Sequence, residues 1–189
     1  MSIFILAPPP SSIEQPPFCT WRQLFSPEQL DEIVRIGKSR PISEATIGGG
    51  EIDGGMRQSS TSWIPHNQES AFIYDAFGWC ARQLNGKYYD LDLFGFVEDI
   101  QFTIYDGDGA HYDWHVDKGA SSPSPRKLSL AMQLSDPSEY EGGDLEVWTG
   151  GSRPDVVDRE RGIVACFPAY TLHRVTPVTT GVRMSLVAW

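Results

Sequence analysis

The second half of the chain limits the fold most. From about residue 95 onward the runs VEDIQFTIY, YDWHVD, KLSLAMQLS, GGDLEVW, GIVACFP, YTLHRV and VRMSLVAW alternate apolar and polar residues, with turn formers between them. A period of two is the repeat of a strand with one face buried. Many short strands at this spacing predict a sandwich or jelly roll. Two helices are expected ahead of it. SPEQLDEIVRIGKSR opens with Ser26 as N-cap, Pro27 at the first helical position and Gln29 closing a capping box, with Leu30, Ile33 and Val34 on one face. NQESAFIYDAFGWCARQLNG repeats Phe72, Ile73, Ala76, Phe77 and Cys80 at helical spacing, and Asn85 with Gly86 supplies a stop. Both helices read as scaffold, so the fold class is mainly β with supporting helices.

The 189 residues, 40% of them hydrophobic, suffice for one domain with a proper core. Residues 1–20, rich in Pro and Ser, read as an extended arm, and 21–189 as the domain, with a helical and loop part to about 95 and a β core over 96–189. Ile3 to Ala7 is a short apolar run with no basic leader that meets three prolines, which fits neither a secretory signal nor a membrane span. Cys19, Cys80 and Cys166 are far apart in sequence and match no zinc or redox spacing, so they read as buried structural thiols in a reducing, cytoplasmic-type compartment. A formal net charge of -10, from 25 acidic and 15 basic side chains, disfavours nucleic acid as a partner.

The stretch HYDWHVD, from His111 to Asp117, concentrates groups that hold metals or move protons. Read as a regular strand, it puts Asp113, His115 and Asp117 on one face and Tyr112, Trp114 and Val116 on an outward apolar face. His115 and Asp117 then form two corners of a metal site. Only His66, His111, His115 and His173 exist to supply more imidazole. His66 sits at an expected helix start and His111 at the ragged beginning of the strand, whereas His173 lies on a strand that a jelly roll brings alongside. Two His and one carboxylate form the facial triad of non-haem iron(II) oxygenases. Ten residues past His173, Arg183 shares a strand face with Ser185, and its planar fork suits a carboxylate.

These residues resemble a known family. Tyr105 with Gly109, Tyr112-x-x-His115-x-Asp117, Gly142-Gly143-Asp144-Leu145, Phe167-Pro168, His173 and Arg183 are similar to the 2-oxoglutarate and iron(II)-dependent dioxygenases of the prolyl 4-hydroxylase type, most closely the PKHD-type hydroxylases. With RQSSTSWI at Arg57 to Ile64, the likeness runs from about Phe25 to Trp189. It implies a double-stranded β-helix (jelly roll, cupin-like) with His115, Asp117 and His173 on Fe(II). Arg183 would bind the distal carboxylate of 2-oxoglutarate, and Tyr105 would hydrogen-bond the same group. Gln133 stands where some relatives place another tyrosine, and Ser185 is in position to assist Arg183 by strand parity. The cofactor set is then Fe(II), 2-oxoglutarate as co-substrate and O2, with ascorbate as an accessory reductant.

The implied reaction hydroxylates an unactivated C–H bond, on a peptidyl proline of a protein or peptide partner, and releases succinate and CO2. The alternatives are hydroxylation of a free small molecule and a non-catalytic cupin-like module that binds metal or 2-oxoglutarate. Oxidative nucleic-acid demethylation is disfavoured, because the position of a second arginine in that branch is Trp189 here. Five glycines from Gly48 to Gly55 suit a lid, or equally a plain hairpin tip. Gly48, Gly55, Arg57, Trp63 and Trp114 are the candidate neighbours of a substrate.

Overall fold

In the computed structural model the described residues are 15–46, 53–96, 98–119 and 125–189. Along the chain they form β1 (Cys19–Trp21), α1 (Pro27–Ser39), β2 (Ser43–Glu44), β3 (Arg57–Gln58), β4 (Ser60–Ile64) and α2 (Ala71–Leu84). Then come β5 (Ile100–Asp106), β6 (His111–His115), β7 (Leu128–Gln133), β8 (Tyr140–Gly142), β9 (Leu145–Val147) and β10 (Asp155–Val156). β11 (Val164–Pro168), β12 (His173–Val175) and β13 (Val178–Ala188) complete the set.

The strands build two antiparallel sheets, the jelly-roll arrangement expected from the alternating runs. The major sheet has the order β1-β11-β7-β13-β5-β4-β2, with β8 also paired to β13. The minor sheet has the order β10-β9-β12-β6-β3. One apolar cluster lies between the helices and the outer face of the major sheet, and includes Ile33, Ile36, Phe77, Phe102 and Leu186. A smaller one lies between the sheets, around Tyr105, Val147, Phe167 and Val178. The odd positions of β5, β7 and the 183–188 stretch of β13 thus face inward and the even ones face the helices, whereas Val178, ahead of a register shift before Thr180, faces inward.

Helix α1 begins with the capping box read from the sequence: the Ser26 hydroxyl accepts from the Gln29 N–H, and the Gln29 side chain accepts from the Ser26 N–H. Its last turn is pressed onto the sheet. The Ser62 hydroxyl donates to the Gly37 carbonyl at 2.7 Å, and a Cβ at Gly37 would lie 2.4 Å from the Phe102 ring. Gly37→Ala is therefore expected to destabilise the protein. Overpacking costs about 1–3 kcal/mol, against at most about 1 kcal/mol gained in helix propensity. Urea unfolding would show a lower midpoint; a raised one would mean that Phe102 can move aside freely.

Helix α2 departs from expectation at its end. Asn85 and Gly86 do not stop it; the chain continues through a π-helical turn, Asn85–Tyr89, and ends at Asp90, in the left-handed region with φ 52°. The Asn85 side chain instead bonds both the N–H and the carbonyl of Leu91, fixing the exit. Tyr74 ties the helix to the sheet, donating to the Ile64 carbonyl and accepting from the Ile100 N–H.

Candidate metal centre and co-substrate pocket

His115 ends β6, Asp117 follows in the turn, and His173 opens β12, which pairs directly with β6 so that His173 faces His115. One ligand atom from each of the three lies within 4.8 Å of the others. The Nε2 atoms of His115 and His173 stand 3.8 and 3.6 Å from the two oxygens of Asp117. Each imidazole is aimed by its other nitrogen, because Nδ1 of His115 donates to the Asp113 carbonyl and Nδ1 of His173 to that of Thr171. This fixes the tautomer and leaves both Nε2 lone pairs toward the carboxylate. Burial, together with the neighbouring His173, drives the His115 pKa down to about 3, so its imidazole stays neutral and able to ligate. Burial alone would raise the Asp117 pKa, but any proton shared with the His173 and His115 pair, together with the Ser129 hydroxyl, pulls it the other way, to below the ordinary carboxylate value. Ser129 Oγ donates to Asp117 Oδ2 at 2.6 Å. Three ionisable ligands with converging ligand atoms fit a divalent cation.

Regular alternation fails inside β6. His173 pairs with His115 but Val175 with Tyr112, so three steps on β6 match two on β12 and a bulge intervenes. The bulge turns Tyr112 to the metal side, where its ring stacks on His115 with centroids 3.5 Å apart. Tyr112 therefore does not sit on the outward face, and Asp113, expected beside His115, is exposed and caps the Trp114 N–H. Trp114 does face outward, edge-on to Trp148 and under the Arg174 guanidinium.

Arg183 pairs with Tyr105 across β13 and β5, and Ser185 lies between Thr103 and Gln133. Arg183 is 2% exposed, its guanidinium 5.1 Å from the Tyr105 ring. Among the described residues its Nε and Nη1 have no hydrogen-bond partner, nor does Oε1 of buried Gln133. A buried guanidinium without an anion is costly unless a ligand supplies one. A carboxylate-bearing co-substrate fits that demand.

The triad and Arg183 open into one cavity of about 330 Å³. Its walls include Arg57 and Trp63. Arg57 donates to Ser59 Oγ and the Thr46 carbonyl and lies over the Tyr112 ring at 4.5 Å. Sequence reading missed Trp189, which lines the same cavity beside Trp63 and under Arg126, itself held by both oxygens of Glu98. It also missed Ser129, although the run LSLAMQ puts Ser129 in phase with Gln133. His111 is tied to the Gly109 and Gly55 carbonyls, and His66 is exposed against Tyr74. Gly55 is exposed, and Gly48 lies outside the described residues, as does most of the expected lid. No helix among the described residues is long and apolar enough to cross a membrane.

Comparison with known proteins matches this geometry. The chain is 43% identical over 81 residues to a PKHD-type hydroxylase of Synechococcus sp. (strain CC9605), covering 43% of this chain and 36% of that protein. It is 38% identical over 95 residues to a PKHD-type hydroxylase of Acidovorax ebreus (strain TPSY), covering 47% of this chain and 41% of the relative. The chain thus spans well under half the length of these curated relatives. The fold matches a Pseudomonas putida prolyl-4-hydroxylase with TM-score 0.76 and 19% identity over 92% of this chain and 91% of that one. It also matches a Trichoplax adhaerens prolyl hydroxylase solved with a hypoxia inducible factor peptide fragment, with TM-score 0.78 and 16% identity over 92% and 82%. Residues 100–189, which hold His115, Asp117, His173 and Arg183, match the model of the 2OG-Fe(II) oxygenase superfamily.

Proposed function

We propose that this protein is an Fe(II)- and 2-oxoglutarate-dependent dioxygenase that hydroxylates a C–H bond of a peptidyl proline. The observation that carries the reading is the placement of the His115, Asp117 and His173 cluster and the unpartnered Arg183 guanidinium in one cavity. When bound, iron and 2-oxoglutarate supply the oxidising chemistry, with succinate and CO2 as by-products.

The chain's own residues do the rest. His115, Asp117 and His173 would hold the metal where their ligand atoms converge at the cavity. Arg183 would take the distal carboxylate in its fork, with Tyr105 and Ser185 lining that end of the cavity and Gln133 paired with Ser185 across β7 and β13. Apolar Phe167, Leu145 and Val175 keep loose water from the centre. At the mouth, Arg57 on Tyr112 and Arg126 on Trp189, with Trp63, offer flat aromatic and cationic walls to a peptide. The hydroxylase assignment draws on the names of the relatives, and the prolyl assignment on those of the fold neighbours.

The test is mass spectrometry of proline-containing peptides incubated with the protein, Fe(II), ascorbate and 2-oxoglutarate. One added oxygen on proline with matching succinate is expected. Succinate without peptide oxidation would move the substrate to a free small molecule, and no succinate under any condition would leave a binding module. Ser129→Ala, which strips Asp117 of its hydroxyl donor, should weaken metal binding about 10-fold or more. Unchanged affinity in a calorimetric titration would show that Asp117 needs no such support.

A further inference from the structure

The three cysteines, 61 or more positions apart in sequence, share one apolar cluster in the fold. Cys19 on β1 and Cys166 on β11 are directly opposed in the antiparallel pair, so their side chains leave the sheet on the same face. Cys19 Sγ approaches the Cys166 carbonyl at 3.6 Å, and the Tyr89 hydroxyl donates to that carbonyl at 3.1 Å. All three thiols are free, with Cys80 and Cys166 buried and Cys19 only partly so. Opposed residues of an antiparallel pair have Cα atoms about 4.5–5.5 Å apart, within the span of about 4.4–6.8 Å that a disulfide bridges.

We propose that Cys19 and Cys166 form a redox-active dithiol that closes to a disulfide and fastens β1 to the major sheet. β1 is where such a fastening matters. It is three residues long and, among the described residues, stands at the end of the sheet and is paired only with β11. Low-molecular-weight disulfides, with oxidised glutathione as the type, are the fitting oxidant. The Cys19 thiolate attacks one sulfur of the glutathione disulfide and expels a glutathione thiolate. Cys166, losing its proton to solvent, then attacks the Cys19 sulfur of the mixed disulfide and expels the second. Two electrons pass from the protein to glutathione, and the two protons end on the two released glutathione thiols.

The thiols differ in the way this order requires. The Cys166 thiol beside it, then Tyr89 and Lys87, hold the Cys19 pKa below the usual thiol value despite burial. Burial pushes Cys80 up to about 12, which leaves it inert. The proposal is independent of the oxygenase reading, since no residue of the metal centre takes part.

The test equilibrates the full chain with reduced and oxidised glutathione at a series of ratios, alkylates the remaining thiols and maps tryptic peptides. The expected product joins peptide 1–22 to peptide 162–174, with Cys80 alkylated throughout and complete reversal by dithiothreitol. Amides of Cys19, Thr20 and Trp21 should then exchange at least about 10-fold more slowly than in the reduced protein. The Cys166→Ser variant should stop at a glutathione adduct on Cys19, and Cys19→Ser should take no adduct. A native chain that stops at that adduct, stays reduced at every ratio, or cross-links Cys19 to Cys80 would overturn the proposal.

Discussion

His173→Ala is expected to abolish succinate formation, by at least about 10³-fold, and to lower metal affinity by more than about 100-fold. The second figure follows because losing a hydrogen-bond partner of a ligand already costs about 10–100-fold, and here a ligand itself is removed. The first follows because two remaining groups, His115 and Asp117, no longer define one face of the metal. The fold should survive. His173 opens a three-residue strand flanked by β6 and β9, and its ring packs on Phe167 at 4.6 Å, so truncation leaves a small cavity rather than a broken core. Metal titration by calorimetry and a coupled succinate assay, on protein with an intact circular dichroism spectrum, provide the check. Full activity would show that the cluster is not the metal centre.

Arg183→Ala should separate co-substrate binding from metal binding. Removing one partner of a buried, charged hydrogen-bonded pair costs about 2–5 kcal/mol, which is roughly 30- to 4,000-fold in 2-oxoglutarate affinity. No described residue offers a second cation to the space that Arg183 fills, because Arg57 lies over Tyr112 and Arg126 is engaged by Glu98. Metal affinity should stay within a few-fold, because the triad's polar contacts run among its own members and to Asp113, Thr171 and Ser129 rather than to Arg183. Arg183→Lys should recover part of the loss, since an ammonium keeps the charge but not the two-pronged geometry. Equal losses of metal and co-substrate affinity in Arg183→Ala would contradict the separation of roles.

Together the two variants give a diagnostic pattern. His173→Ala loses metal and activity, while Arg183→Ala loses co-substrate and keeps metal. A cupin-like binding module would show the same affinities without succinate from the native protein, so turnover by the unmodified chain distinguishes catalysis from binding alone.

Much of this site could be read before folding, because the relevant information is local. Two residues separated by one in an extended segment share a side, so His115 with Asp117, and Arg183 with Ser185, were legible as pairs. The capping box at Ser26 and the alternating runs after residue 95 were legible for the same reason: dihedral preference and period are properties of neighbouring residues. Register was not legible. The extra residue in β6 is fixed by how β12 pairs with it, and it moves Tyr112 from the outside of the barrel onto the His115 ring. Ser129 reaches Asp117 only because β7 and the turn after β6 meet in space, 12 positions apart in sequence. Trp189 and Trp63 become one wall, and Cys19 and Cys166 one pair, through contacts that span most of the chain. The sequence by itself determined the chemistry available, the strand and helix content and the face on which Arg183 lies. The tertiary structure alone decided which distant side chains share a cavity, since sheet pairing and bulges are set by packing across the fold rather than by any residue's neighbours.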